Sequence, residues 1–363
     1  MTALESALRG LAVGGIMSFV VITAFAYTTL LERKLLARFQ VRVGPARAGY
    51  IPIPFRGRTR KLLGGIMQPA ADVVKIFTKE DFQPATVDKY IFTLAPILTA
   101  LPAFLILAVI PWAGKVPVIT PESHDYFAIA PGINVAILFI LAVTSVGVYG
   151  IVLAGWASNN KYAILGGIRA SAQMISYELA MGLSILPPVI LAGSMDLGVI
   201  VANQSMANGG IWYVFLQPVA ALIFYIAIMA ELQRAPFDLL EAEQELSAGY
   251  SVEYSGMRFG MFFMAEYMKM ISLSAIFTVL FLGGYSGPFV EQVPALGFLY
   301  MGLKIFLSLC LMIWIRATLP RLRYDQLMAL GWKVMLPLAV LNFVFTIVTV
   351  VLAAEGIINL PGG

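Results

Sequence analysis

Between Glu231 and Arg258 the chain carries six carboxylates, Glu231, Asp238, Glu241, Glu243, Glu245 and Glu253, against two bases, Arg234 and Arg258. Carboxylates crowded in this way raise one another's pKa values, so some of them can exchange protons near neutral pH. In an extended segment Glu241, Glu243 and Glu245 share one side, whereas a helix would set Glu241 and Glu245 at repulsive i,i+4 spacing. The same density also suits a solvated acidic face for a basic partner, and spacing alone leaves both readings open. Two further acids, Glu178 and Glu266, interrupt long apolar runs. At membrane depth an ionisable group costs several kcal/mol, which makes each a candidate for function. Lys269, one turn after Glu266, is its expected ion-pair partner. Glu178 has no partner within a turn. Lys304, in another apolar run, is expected to neutralise a carboxylate.

What the chain lacks is equally informative. It has one cysteine, Cys310, and one histidine, His124, which lies in a polar stretch beside Glu122 and Asp125. Iron–sulfur clusters and structural zinc sites need about four Cys or His ligands, so neither is expected here. An internal disulfide is impossible. No glycine fingerprint for a dinucleotide follows a strand pattern. No metal and no cofactor is expected on this chain, and any electron carriers belong to other chains.

The elements that position the acids are membrane helices. Of 363 residues, 60% are hydrophobic and 12% charged, and the mean hydropathy is +0.86. A soluble domain has about a quarter of its residues charged, so a water-soluble enzyme is excluded. A net charge of +4 is too small to argue for nucleic acid. Eight apolar runs, at 11–31, 90–112, 126–156, 170–194, 211–230, 259–289, 293–315 and 334–354, are long enough to cross a bilayer. The expectation is an all-α integral membrane protein with eight transmembrane helices in a single domain, 1–363. The first run meets Glu32-Arg33-Lys34 at once, a stop-transfer flank, and does not read as a cleavable signal. Twenty of the 24 Lys and Arg residues fall in the loops after runs one, three, five and seven. By the positive-inside rule these loops are cytoplasmic and both termini lie outside. No internal repeat is visible.

The first cytoplasmic loop, 32–89, holds a further helical pattern. Met67, Ala70, Val74 and Phe77 share one face, Asp72, Lys75 and Lys79 another, and Gln68-Pro69 supplies a first turn. An amphipathic helix on the membrane surface is expected there, although a solvated helix packed on the protein would show the same pattern. The second informative loop is the acidic one, 231–258.

Five strings, in order, closely resemble the H subunit of respiratory complex I, the NADH–quinone oxidoreductase. They are Leu31-Glu32-Arg33-Lys34-Leu35-Leu36-Ala37-Arg38 with Arg42-Val43-Gly44-Pro45; Gln68-Pro69-Ala70-Ala71-Asp72 through Lys79-Glu80-Asp81; Gly155-Trp156-Ala157-Ser158-Asn159-Asn160 through Ser176-Tyr177-Glu178; Glu231-Leu232-Gln233-Arg234-Ala235-Pro236-Phe237-Asp238 through Glu253-Tyr254-Ser255; and Trp314-Ile315-Arg316-Ala317-Thr318 with Arg323-Tyr324-Asp325-Gln326.

The resemblance implies a subunit of a proton-translocating translocase at the junction of membrane and peripheral arms, in the cell inner membrane. It implies a quinone chamber, entered between the first span, the sixth span and the amphipathic helix, with Arg33, Asp72 and Lys75 along it. Glu178, Glu231, Asp238, Glu241, Glu243, Glu245, Glu253 and Glu266 would form the carboxylate path from quinone chemistry to the proton channels. FMN and iron–sulfur clusters would sit on partners, the terminal cluster on a neighbouring peripheral-arm subunit, with small membrane subunits, lipid and quinone as further partners and no nucleic acid. Three departures from the family pattern stand out. Ala46 and Tyr50 replace an Asn and a Pro, about a dozen residues around 51–63 look inserted, and Leu240 replaces a Pro, freeing that φ. Two alternatives remain at this point: the equivalent subunit of a membrane-bound hydrogenase or ferredoxin-dependent complex, and a stand-alone ion transporter.

Overall fold

The structure is a computed structural model and describes residues 3–46, 48, 51–55, 58–62, 65–116, 125–205, 209–238 and 249–357. Glu241, Glu243, Glu245, Leu240 and His124 lie outside these residues.

The fold is mostly helical. Among the described residues, seven helices are long and apolar enough to cross a membrane. The chain opens with α1 (Ala3–Phe39), whose 37 residues exceed what a bilayer needs and carry Glu32, Arg33 and Lys34 toward its edge. After it, within the apparent insertion around 51–63, β1 (Ile51–Phe55) and β2 (Arg58–Leu62) pair antiparallel, with Phe55 opposite Arg58. The short helix α2 (Gln68–Thr78) follows, with Pro69 in its first turn. It packs on α1 and on the later helix 256–281, while Met67, Val74 and Phe77 stay exposed.

Caps decide several boundaries that hydropathy alone misplaces. Asp88 accepts from the Tyr90 and Ile91 amides to start α3 (Lys89–Ile106). Strands β3 (Ala113–Gly114) and β4 (Tyr126–Phe127) pair on the way to α4 (Ala136–Ala157), so the third apolar run becomes helical ten residues late. Asn160 accepts from Tyr162 N at 3.0 Å and starts α5 (Lys161–Ala192) nine residues before its apolar run. That helix stops at Gly193, whose φ of +65° suits a residue without Cβ. Close approach also has its glycine. A Cβ on Gly150 of α4 would lie 2.7 Å from Thr99 N of α3, so only glycine lets these helices meet.

The fifth apolar run is broken. After α6 (Leu197–Asn203) comes a four-residue helix, α7 (Tyr213–Leu216), then Gln217 at φ −131°, ψ 58°, then α8 (Pro218–Glu231). Proline offers no N–H to the preceding turn and pushes the residue before it out of the helical region. The resulting 14-residue α8 is shorter than the crossing helices. The long helices α9 (Gly256–Phe281) and α10 (Leu296–Thr318) follow. The last helix begins at α11 (Tyr324–Ala329), passes a π-helical turn at Leu330–Met335 and continues as α12 (Leu336–Ala354), ten residues earlier than hydropathy suggests. Tyr177, Phe224 and Phe281 from α5, α8 and α9 are wholly buried in the core these helices share.

Lys304 of α10 departs from expectation. Its ammonium meets no carboxylate among the described residues; it donates to the carbonyls of Leu282, Gly284 and Ser286 at 2.7, 2.8 and 2.9 Å. Gly283 and Gly284, at φ +70° and +50°, curl the end of α9 so that three carbonyls point at one cation. The ammonium also sits 4.9 Å from the Trp212 ring centroid. Unsatisfied carbonyls at a helix C-terminus supply enough negative potential to hold it.

Candidate functional site

Buried charges converge where α1, α8, α9 and α10 meet. Glu32, 3% exposed, is the centre. Arg234 Nη1 lies 2.7 and 2.8 Å from its two carboxylate oxygens. Arg316, from the end of α10, donates to the same carboxylate. On its other side Arg234 Nε is 2.5 Å from Glu266 Oε1 of α9, and its guanidinium carbon stands 4.3 Å from the Tyr267 ring centroid. Two cations and two anions thus interleave, which is what makes burial of each tolerable.

A second pair sits one turn deeper. Lys269 Nζ approaches Glu231 Oε1 at 2.5 Å. The expected Glu266–Lys269 partnership within α9 is therefore replaced: each side chain reaches across to the segment Glu231–Arg234. The reason is local. Glu231 ends α8 and Arg234 follows it in the next turn, and both lie alongside α9, so each α9 charge meets an opposite charge of that segment.

Glu178 of α5 does have a partner, the Ser145 hydroxyl of α4, which donates to it. Its own helix, α5, packs on α8, which carries Glu231. A cavity of about 50 Å³ lies beside these groups, bordered by Thr99, Glu231, Gln233, Glu266 and Lys269. Glu231 Oε2 and Gln233 Nε2 are buried there with no hydrogen-bond partner among the described residues. The walls are mixed, with Ile151, Met174 and Phe262 among them, but the unpaired polar atoms and that volume suit one or a few water molecules.

Supporting contacts hold the array in place. Gln173 of α5, fully buried, donates 2.9 Å hydrogen bonds to the carbonyls of both Ala230 and Phe237, clasping the turn that presents Glu231 and Arg234. Beyond that turn Asp238 lies 3.9 Å from Arg321. Glu253 accepts from Asn160 Nδ2 at 2.8 Å, so one asparagine caps α5 and holds the far end of the acidic loop. Tyr254 stacks on Phe92 at 4.0 Å, and its burial pushes the phenol pKa up, against the nearby Arg258 charge.

Toward the membrane edge Arg33 and Asp72 meet at 2.7 Å, and Gln68 Nε2 donates to the same carboxylate at 2.9 Å. This ties α1 to α2. Lys75, one turn further, is exposed. Of the candidate residues, Arg33 with Asp72, and Glu231 with Glu178 and Glu266, are thus brought into two neighbouring groups. Asp238 and Glu253 flank the second group. Glu32, Arg234, Arg316, Lys269 and Gln173 complete it; sequence reasoning gives Lys269 the wrong carboxylate and misses the part of the other four. Glu32 carries a signal, being the one acid in an otherwise basic flank.

Sequence comparison bears on what this arrangement serves. Residues 13–347 match the NADH dehydrogenase family. The chain is 49% identical over 344 residues to the second NADH-quinone oxidoreductase H subunit of Geobacter sulfurreducens, covering 95% of this chain and 97% of that one. The chain belongs to the H-subunit family of NADH-quinone oxidoreductases. Identity to the first H subunit of Geobacter metallireducens is 49%, with 90% of this chain and 92% of that one covered. For the H subunit of Flavobacterium psychrophilum it is 44%, covering 91% and 95%. The buried charges are therefore features of an H-subunit family member. Among the described residues no group of three His, Cys, Asp or Glu side chains is placed to hold a metal ion.

Proposed function

We propose that this chain is the membrane subunit of a proton-translocating NADH:quinone oxidoreductase that forms the quinone-access chamber and the first part of the proton-coupling path. One observation carries the reading: carboxylates and cations alternate from Glu32 through Arg234 to Glu266, and from Lys269 to Glu231 beside Glu178. Quinone enters between α1, α2 and α9, past Arg33, Asp72 and Lys75. The exposed apolar side chains of α2 rest at the membrane surface. The proton path runs from Asp238, Glu241, Glu243, Glu245 and Glu253 to Glu231, Glu266 and Glu178.

The chemistry follows from coupling. Groups this close titrate as a set, so a charge placed at one end changes which member holds a proton. A quinone reduced beside the array is such a charge. FMN and the iron–sulfur clusters belong to peripheral-arm partners, and neighbouring small membrane subunits continue the path. The broken fifth run makes the eighth crossing, both termini lie outside, and the complex sits in the inner membrane.

The test is Glu178→Gln and Glu231→Gln in the assembled complex. Each keeps the shape and deletes a protonatable group. Both should depress quinone reduction and proton translocation together. Full coupled activity in the double variant would end the proton-path reading.

A further inference from the structure

Away from the charge array, a cavity of about 950 Å³ opens between α1, α9 and α10. Val20 and Ala24 of α1, Ile271 of α9, and Phe306 and Leu309 of α10 give it apolar walls. Lys34 is the only charged side chain lining it among the described residues. Along α1, the lining from Val13 to Lys34 is about 32 Å long at 1.5 Å per residue, close to the thickness of a hydrocarbon core. The cation therefore sits where phospholipid headgroups lie. The lining repeats at three- and four-residue steps and occupies one face of α1. Phe25 and Arg33, which reach α9 and α2, point to the other side. The groove is separate from the Arg33–Asp72 contact.

We propose that this groove is a binding site for an anionic phospholipid, its phosphate on Lys34 and its acyl chains laid along α1 and α10. A methylene group takes up roughly the 30 Å³ of a liquid water molecule, so the volume suits two acyl chains. A partner's transmembrane helix fits the walls less well. Helices pack in membranes through runs of small residues, and this lining is mostly bulky, with Met17, Leu31 and Phe306 and only Ala24 and Gly302 small. Such a helix would also cover a cation without neutralising it, whereas a phosphate pairs with it.

The experiment uses the whole purified complex in phosphatidylcholine nanodiscs containing a small share of phosphatidylglycerol with a photoactivatable acyl chain. Adducts are mapped by peptide mass spectrometry. They should fall on α1 between Val20 and Tyr27 and on α10 between Phe298 and Leu309. Unlabelled phosphatidylglycerol should compete at least about tenfold better than phosphatidylcholine, as a charge-assisted contact allows. Lys34→Gln should abolish that preference. Gly302→Phe should remove the adducts with the complex assembled, because a side chain there enters open space, with no atom within 4 Å of its Cβ. An absence of adducts in the wild-type complex would overturn the proposal. So would an unchanged headgroup preference in Lys34→Gln, or a neighbouring subunit's helix crosslinked into the groove.

Discussion

Arg234 holds the two carboxylate oxygens of Glu32 at 2.7 and 2.8 Å although 202 residues separate them. The contact pins the C-terminal part of the first helix to the turn that follows Glu231, the first acid of the acidic loop. Glu32 is shared with Arg316, and Arg234 with Glu266, so each charge in the group has a partner on a different segment of the chain. Removing either inner member, Glu32 or Arg234, leaves an outer one, Arg316 or Glu266, without its partner.

A double-mutant cycle on this pair should show strong coupling. Glu32→Gln and Arg234→Gln, singly and together, are compared by thermal unfolding of the assembled complex. The expected interaction is about 2 kcal/mol, within the range for residues sharing a buried network. A coupling near zero would mean that the two side chains contribute independently.

Lys269 should matter more for stability than its position in an apolar helix suggests. Lys269→Met strands Glu231 as a buried carboxylate, at a cost of about 3–5 kcal/mol. Adding Glu231→Gln removes the stranded charge and should recover much of the loss. Thermal midpoints of the three variants decide it: a double variant no more stable than Lys269→Met would refute the pairing.

Lys304 has a structural task. Lys304→Met leaves three carbonyls without their donor, and the loss should be about 3 kcal/mol or more. Arginine should not rescue it, because a planar guanidinium cannot aim at three carbonyls curled around one point. Quinone reduction per assembled complex should stay unchanged. A selective fall in turnover with normal thermal stability would contradict the assignment.

The orientation is open to direct labelling. With Cys310 replaced, a single cysteine at Arg58 in β2 should react only from the cytoplasmic side of oriented vesicles. The motive is the crowding of basic residues in the first loop, 12 of the chain's 24. Reaction from outside alone would reverse the topology.

Much of this arrangement is legible in the sequence, and the exceptions have physical causes. Glu178 and Glu266 stand out because a carboxylate in an apolar run is too costly to sit there unmatched. Their partners do not stand out, because pairing is decided by which helix ends lie side by side. Lys269 is thus the natural mate of Glu266 one turn away and serves Glu231 instead. Glu32 is hidden by its basic neighbours, which make the whole flank read as a stop-transfer signal. Hydropathy locates the apolar runs, but Asn160, Gln217-Pro218 and the turn at Leu330–Met335 set where helices start, break and shift register. The paired strands within 51–62 show only as extra length, since Pro52 and Pro54 interrupt the alternation of Ile51, Ile53 and Phe55 and argue against a strand, and Arg58–Leu62 has no apolar alternation.

Glu32 and Arg33 are neighbours in sequence, so their side chains leave α1 about 100° apart. One is keyed inward to Arg234 and Arg316, the other outward to Asp72 on α2. A shaft keyed at two angles cannot spin: any turn that shortens one contact stretches the other. Tilting is the motion left to α1, and a single residue inserted between Glu32 and Arg33 would put the two locks about 100° out of phase with each other.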